Sequence, residues 1–268
     1  MKKLKKILFI SLWVVLVSGL FVLMGFVNNE QSLMLCKSID VKMNQDDDVY
    51  FLDKIAVEKL ITESGHPIIG EQKYMVNTPD IERALDSHAD IAKAEVHLTI
   101  DGQLKVNVKQ RKPLLRIFNA KGESYYIDNV GKLMPLSDNY TARVLVANGN
   151  IQESYGTSYM YSIQDIGNDS TKRVNSSLDE LYAMATYINN DKFWKAQVQQ
   201  VFVNNEKDME LVPLVGDHKI IFGDTTSMDE KFKKLMTFYL QGLNTTGYWR
   251  RYSTINLKFK NQIVCTKK

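Results

Sequence analysis

The run Ile7–Val27, ILFISLWVVLVSGLFVLMGFV, carries no charge, and its only polar side chains are Ser11 and Ser18. At 1.5 Å of rise per residue, about 20 such residues cross the ~30 Å hydrocarbon core of a bilayer. Lys2, Lys3, Lys5 and Lys6 precede the run, and Asn28, Asn29 and Glu30 follow it. The positive-inside bias therefore predicts a membrane helix over residues 7–27, anchored by residues such as Ile7, Trp13 and Val27 and touching lipid, with the N-terminus cytoplasmic and the rest outside. A cleaved signal peptide is the rival reading. Its apolar core spans about 7–15 residues and ends at a small-x-small site, a pattern absent from Met24-Gly25-Phe26-Val27.

The net charge of the chain is +3. Subtracting the four lysines ahead of the apolar run leaves −1 for everything after it. Basic and acidic residues are mixed along that remainder, so no nucleic-acid footprint is expected. Cys36 and Cys265 are the only cysteines. Two cysteines make no disulfide framework, and two unpaired, partly buried thiols are expected.

Beyond a polar stalk over 28–35, a strand candidate covers Cys36–Met43, and Asn44–Asp48 reads as a solvated loop. Leu52, Ile55, Ala56 and Leu60 recur at helical spacing, so an amphipathic helix is predicted over Asp53–Ser64, ended by Gly65 with Pro67 beyond it. A second helix begins at Thr78-Pro79, with Ile81, Ala84, Leu85 and Ala89 as its stripe. Next, Ala94, Val96, Leu98 and Ile100 alternate with polar residues. Asp101-Gly102 supplies a tight turn, and Leu104, Val106 and Val108 alternate in return. The order β-α-α-β-β closes near Arg111-Lys112-Pro113.

After Pro113 short strands dominate: Leu114–Phe118, Ser124–Ile127, Arg143–Val146, Lys195–Val203, Met209–Leu214, Lys219–Phe222 and a final strand Ser253–Cys265. Capping boxes at Ser177-Leu-Asp-Glu180 and Ser227-Met-Asp-Glu230 open two helices. The predicted class is α+β, with domains at 1–6 (cytoplasmic stub), 7–27 (membrane helix), 28–35 (stalk), 36–113, 114–265 and a tail at 266–268.

No chemistry stands out. His66, His88, His97 and His218 lack metal-ligand spacing, and there is no P-loop or nucleophile elbow. Neither cofactor, metal nor catalysis is expected. Binding is left, and an uncovered edge strand is a ready acceptor for a partner strand. The last strand is the candidate edge, with the basic surface of the Ser227–Gly242 helix beside it; taken alone, that surface reads as a solvated face.

This order resembles the FtsQ/DivIB cell-division family over nearly the whole chain. Val76–Phe118 is similar to the family's POTRA domain and its exit, with an "L-x-V-x-V-x-x-R-x-P" strand. Tyr126-Ile127-Asp128-x-x-Gly131 resembles the family's "hydrophobic-D-x-x-G" turn. Ile221-Phe222-Gly223-Asp224 leading into Asp229–Tyr239 is similar to its strand, glycine and basic helix, and Tyr252–Val264 resembles its closing strand. The Asn-rich, Tyr-rich composition and the ending NQIVCTKK resemble the Bacteroidetes branch. The resemblance implies a non-catalytic divisome scaffold at the septum, single-pass in the inner membrane with periplasmic POTRA and β domains. It implies an FtsB-like and FtsL-like pair as partners, bound by strand addition at the last strand, with FtsW/FtsI-type septal synthesis proteins as further contacts. Carried over by position, the contacts fall on Lys258, Phe259, Asn261 and Gln262 of the strand and on Lys231 and Lys234 of the helix. Asn261-Gln262 departs from the family's small Ser-Gly pair, and the stub is shorter than in many relatives. The alternative is a membrane-anchored POTRA-type chaperone for envelope protein assembly.

Overall fold

The computed structural model describes residues 9, 11–22, 34–44, 50–63, 68–158, 163 and 176–268. Residues 11–22 are helical. Among the described residues, no helix is long and apolar enough to cross a membrane. The expected single N-terminal transmembrane helix over Ile7–Val27 is corrected accordingly. Trp13 lies on the described helical stretch, whereas Ile7 and Val27 lie outside the described residues, as do the stub 1–6, most of the stalk and all but Asn44 of the loop expected over Asn44–Asp48. Gly65, His66 and Pro67 also fall outside them.

The chain divides into two compact units, Met1–Gln110 and Arg111–Lys268. In the first, strand β1 (Ser38–Met43) leads to helix α1 (Lys54–Glu63), helix α2 (Thr78–Asp86), and strands β2 (Ile91–Leu98) and β3 (Gln103–Gln110). The sheet order is β1-β3-β2, with β1 parallel to β3 and β2 antiparallel to it. Asp53 starts α1 by accepting the Ala56 N–H at Oδ1, 2.7 Å away. Helix α2 begins at Thr78-Pro79 as expected, with Asn77 in the cap position and its amide bonded to Asp80. Val57 and Ile61 of α1 and Ile81 and Leu85 of α2 are buried together with Val41, Ala94, Val96, Leu104, Val106 and Val108 of the sheet. Gly102 turns β2 into β3 at φ +85°, where a Cβ would lie 2.5 Å from the Leu35 carbonyl oxygen. Gln110 closes the unit: its side chain accepts the Leu52 N–H and donates to the Leu52 carbonyl.

The second unit is built on a nine-stranded mixed sheet. Its strands are β4 (Pro113–Phe118), β5 (Ser124–Asp128), β6 (Leu133–Met134), β7 (Leu145–Gly149), β8 (Val198–Val203), β9 (Met209–Pro213), β10 (Lys219–Gly223), β11 (Tyr252–Asn256) and β12 (Val264–Lys267). They run in the order β12-β11-β10-β9-β8-β7-β4-β5-β6. Helices α3 (Leu178–Asn190), α4 (Lys192–Gln197) and α5 (Met228–Thr237) join their apolar residues to one core with the sheet. Phe232 of α5 is central. Its ring lies 4.5 Å from Tyr187, 4.9 Å from Trp194 and 4.9 Å from Phe222, between centroids.

Three expectations change here. Residues 195–197, read as strand, belong to α4, because Asp191 Oδ1 accepts the N–H groups of Phe193 and Trp194 and so nucleates a helical turn. Neither capping box forms: the Ser177 and Ser227 side chains make no cap bond. Residues 253–265 are not one strand but the hairpin β11–β12. Cys36 and Cys265 are both free thiols, the first buried and the second half-buried.

Candidate partner-binding edge

The final hairpin carries the positions that the sequence marked. β11 pairs in parallel with β10 and antiparallel with β12, which ends the sheet. Between the two strands the chain leaves the ladder for residues 257–263. The cause begins at Asn256, whose Oδ1 accepts the Lys258 N–H at 2.9 Å, a side-chain turn that breaks extended geometry. Leu257 then buries itself, and its N–H donates to the Ile221 carbonyl. The ammonium of Lys234, on α5, donates to the carbonyl oxygens of Leu257 (3.3 Å), Phe259 (2.7 Å) and Lys260 (3.4 Å). Three backbone acceptors that a continuous strand would pair along its ladder are taken by one side chain.

Phe259, Asn261 and Gln262 thus sit exposed on the connecting loop, not on an edge strand. Lys258 is also exposed, and its Nζ pairs with Asp208 Oδ2 at 2.5 Å. The Asp208 carboxylate raises the Lys258 pKa. Gly223 lies beneath that lysine stem, where a Cβ would come 3.0 Å from Lys258 Cγ. Lys234 reaches the loop, but Lys231 does not. Lys231 turns inward, its side chain 10 % exposed, with Nζ 2.9 Å from both the carbonyl and the Oδ1 of Asp224. Its ammonium also lies 5.1 Å from the Phe222 ring centroid.

A groove of about 620 Å³ runs between α5 with its following π turn (Phe238–Leu243) and the loop. Lys233, Lys234, Thr237 and Gln241 form one wall, and Asn261 and Gln262 the other. Lys233 holds Asp229 at 2.5 Å, which raises the Lys233 pKa and lowers that of Asp229. Thr237 and Gln241 were not marked from sequence. Their helical spacing from Lys233 and Lys234 is visible in the chain, but the facing wall reads as strand in the sequence. Gly242 packs on Phe238, where a Cβ would meet Cδ2 at 3.1 Å.

The model of the family described as FtsQ/DivIB, C-terminal related, matches residues 112–266, which include all of β4–β11 and most of β12. The chain belongs to the FtsQ/DivIB family. A POTRA-like domain model matches residues 34–109, spanning β1 through most of β3. Both families consist of non-catalytic scaffold domains, and together they point to a scaffold role in cell division. No curated protein matches the chain.

The FtsQ/DivIB unit holds its Asp128-x-x-Gly131 turn for a structural reason. Asp128 Oδ1 accepts the N–H groups of Val130 (3.0 Å) and Lys132 (2.7 Å). Burial raises the Asp128 pKa, while these bonds and Arg111, 3.9 Å away, oppose the shift. Among the described residues, no group of three or more His, Cys, Asp or Glu side chains is placed to hold a metal ion.

Proposed function

We propose that the protein is a division-site scaffold whose β12 edge takes up a strand from the FtsB-like member of an FtsB/FtsL-like pair, at the septum where FtsW/FtsI-type synthesis proteins act. The observation that carries the reading is the position of β12: among the described residues it ends the nine-stranded sheet, with β11 as its one strand neighbour. A terminal strand keeps one row of N–H and C=O groups for another chain. The groove beside it adds side-chain recognition. Exposed Phe259 offers an apolar anchor, Asn261 and Gln262 offer amides, and Lys258 and Lys234 bring positive charge. Lys231 takes no part, because its side chain is buried against Phe222 and Asp224.

The break at 257–263 moves the pairing segment to Val264–Lys267 and makes the loop a flanking contact. Hydrogen exchange on the full chain, alone and with the FtsB/FtsL-like pair, tests this. Amides within Val264–Lys267 are expected to slow in the complex. Unchanged exchange across β12 in a formed complex would exclude strand addition there.

A further inference from the structure

The POTRA-like sheet has two edge strands, β1 and β2, and β2 is the one beside α2. In an antiparallel pair, alternate residues point their N–H and C=O groups away from the neighbouring strand. On β2 these outward groups belong to Ala94, Val96 and, by the same alternation, Leu98. Two of the three outward donors are already taken. The Ala94 N–H donates to Asp86 Oδ1 at 2.7 Å, and the Val96 N–H to Glu82 Oε1 at 2.7 Å.

Both carboxylates come from α2, and the match is one of spacing. Positions i and i+4 on a helix are separated by about 6 Å of rise. Positions i and i+2 on a strand are separated by about 6.6 Å. One acidic face of a helix laid along a strand can therefore meet successive outward N–H groups. Bonds to an ionised acceptor are shorter and stronger than neutral ones. Arg83, between the two acids in sequence, is turned to Asp80 and does not compete.

We infer that the β2 edge is closed to strand addition by its own helix, Glu82 and Asp86 standing where the carbonyl groups of an incoming strand would bind. The exposed charges of Lys93 and Glu95 along the same strand act in the same direction, since charged side chains guard edges. The closure directs strand-adding partners away from β2. It rests on this unit alone and does not depend on the reading of β12.

The test uses the full chain, its Glu82→Ala/Asp86→Ala variant, and a synthetic QLKVNVKQ peptide that copies β3, the strand β2 already pairs with. Amides of Ala94 and Val96 should exchange about tenfold faster in the variant, with those of Glu95 and His97, which face β3, unchanged. The peptide should bind the variant and not the wild type. Glu82→Gln/Asp86→Asn keeps an oxygen acceptor at each position and should leave the edge closed. Peptide binding to the wild type overturns the inference whatever the variants do. So does wild-type exchange at Ala94 and Val96 in a folded Ala/Ala variant.

Discussion

The Lys234 ammonium lies 2.7 Å from the Phe259 carbonyl oxygen, and this bond holds the loop that interrupts the final hairpin. With Leu257 and Lys260 it serves three carbonyls whose own chain offers them no ladder partner. Lys234→Met keeps the stem and removes the donors. Because the bonds are partly solvated, the loss of stability should be about 1 kcal/mol, below the range for buried charged bonds. Denaturant unfolding measures it, and amide exchange should rise across 257–263. A variant with wild-type unfolding and wild-type loop exchange would show that the ammonium does not hold the loop.

Lys231 and Lys234 lie three residues apart on α5 but should behave oppositely. Lys231 is packed, and its partner Asp224 keeps 60 % of its side-chain surface exposed. Lys231→Met leaves a hydrated carboxylate and retains an apolar stem against Phe222, so it should cost about 1 kcal/mol or less. Asp224→Ala strands a packed ammonium with one carbonyl and should cost about 2 kcal/mol. In a partner pull-down, Lys231→Met should match the wild type and Lys234→Met should fall below it. Equal loss in both would put Lys231 at the interface.

The contrast between those lysines shows what could be read in the chain. Alternation from Ala94 to Leu98, the Asp101-Gly102 turn and the buried pair Ile81 and Leu85 of α2 follow from local periodicity, whereas the stripe read for α1 misses: Val57 and Ile61 are its buried residues and Ile55 is exposed. Periodicity failed at the last hairpin. Ile255, Leu257 and Phe259 alternate straight through the break, which is made by the Asn256 side-chain turn and by a lysine 25 residues from Phe259 in sequence. Residue type marked Lys231 as surface, whereas packing against Phe222 and Asp224 decides its place. The run Ile7–Val27 has the composition of a membrane span, whereas among the described residues no helix is long and apolar enough to cross one. The carboxylates on β2 had no signal at all, because Glu82 and Asp86 read as the polar side of an amphipathic helix.

Ser227 precedes α5 at φ +51° and ψ +38°, the left-handed region, and its hydroxyl caps nothing. A side chain there carries a penalty of about 1 kcal/mol that glycine avoids. Ser227→Gly should therefore stabilise the protein by about 0.5 kcal/mol, after the extra freedom of glycine in the unfolded chain is subtracted. Thermal and denaturant midpoints should both rise. A lower midpoint would mean that the hydroxyl holds something beyond its own strained backbone.

His218 gives the protein an acid-sensitive point. The residue is 3 % exposed, its Nε2 lies 3.0 Å from the Tyr239 hydroxyl, and its ring faces Trp249 at 6.3 Å between centroids. Burial lowers its pKa below the usual imidazole range, and burial raises that of Tyr239, which stays neutral. Asp217 pulls His218 the other way and Lys268 opposes it; those two are paired with each other at 3.1 Å. The folded protein thus holds His218 uncharged, whereas the unfolded chain takes up a proton near pH ~6.5. Stability contributed by the neutral ring is complete above that value and falls as pH drops below it, because only the unfolded state binds the proton. The unfolding free energy should be level between about pH 8 and pH 7, then fall by up to about 1.4 kcal/mol per pH unit until His218 itself protonates. His218→Gln keeps a polar partner for Tyr239 and should remove that slope, although His66, His88 and His97 remain. The measurement is the denaturant midpoint of both proteins across pH 8 to pH 5, and an identical slope in the two would assign the acid sensitivity to another group.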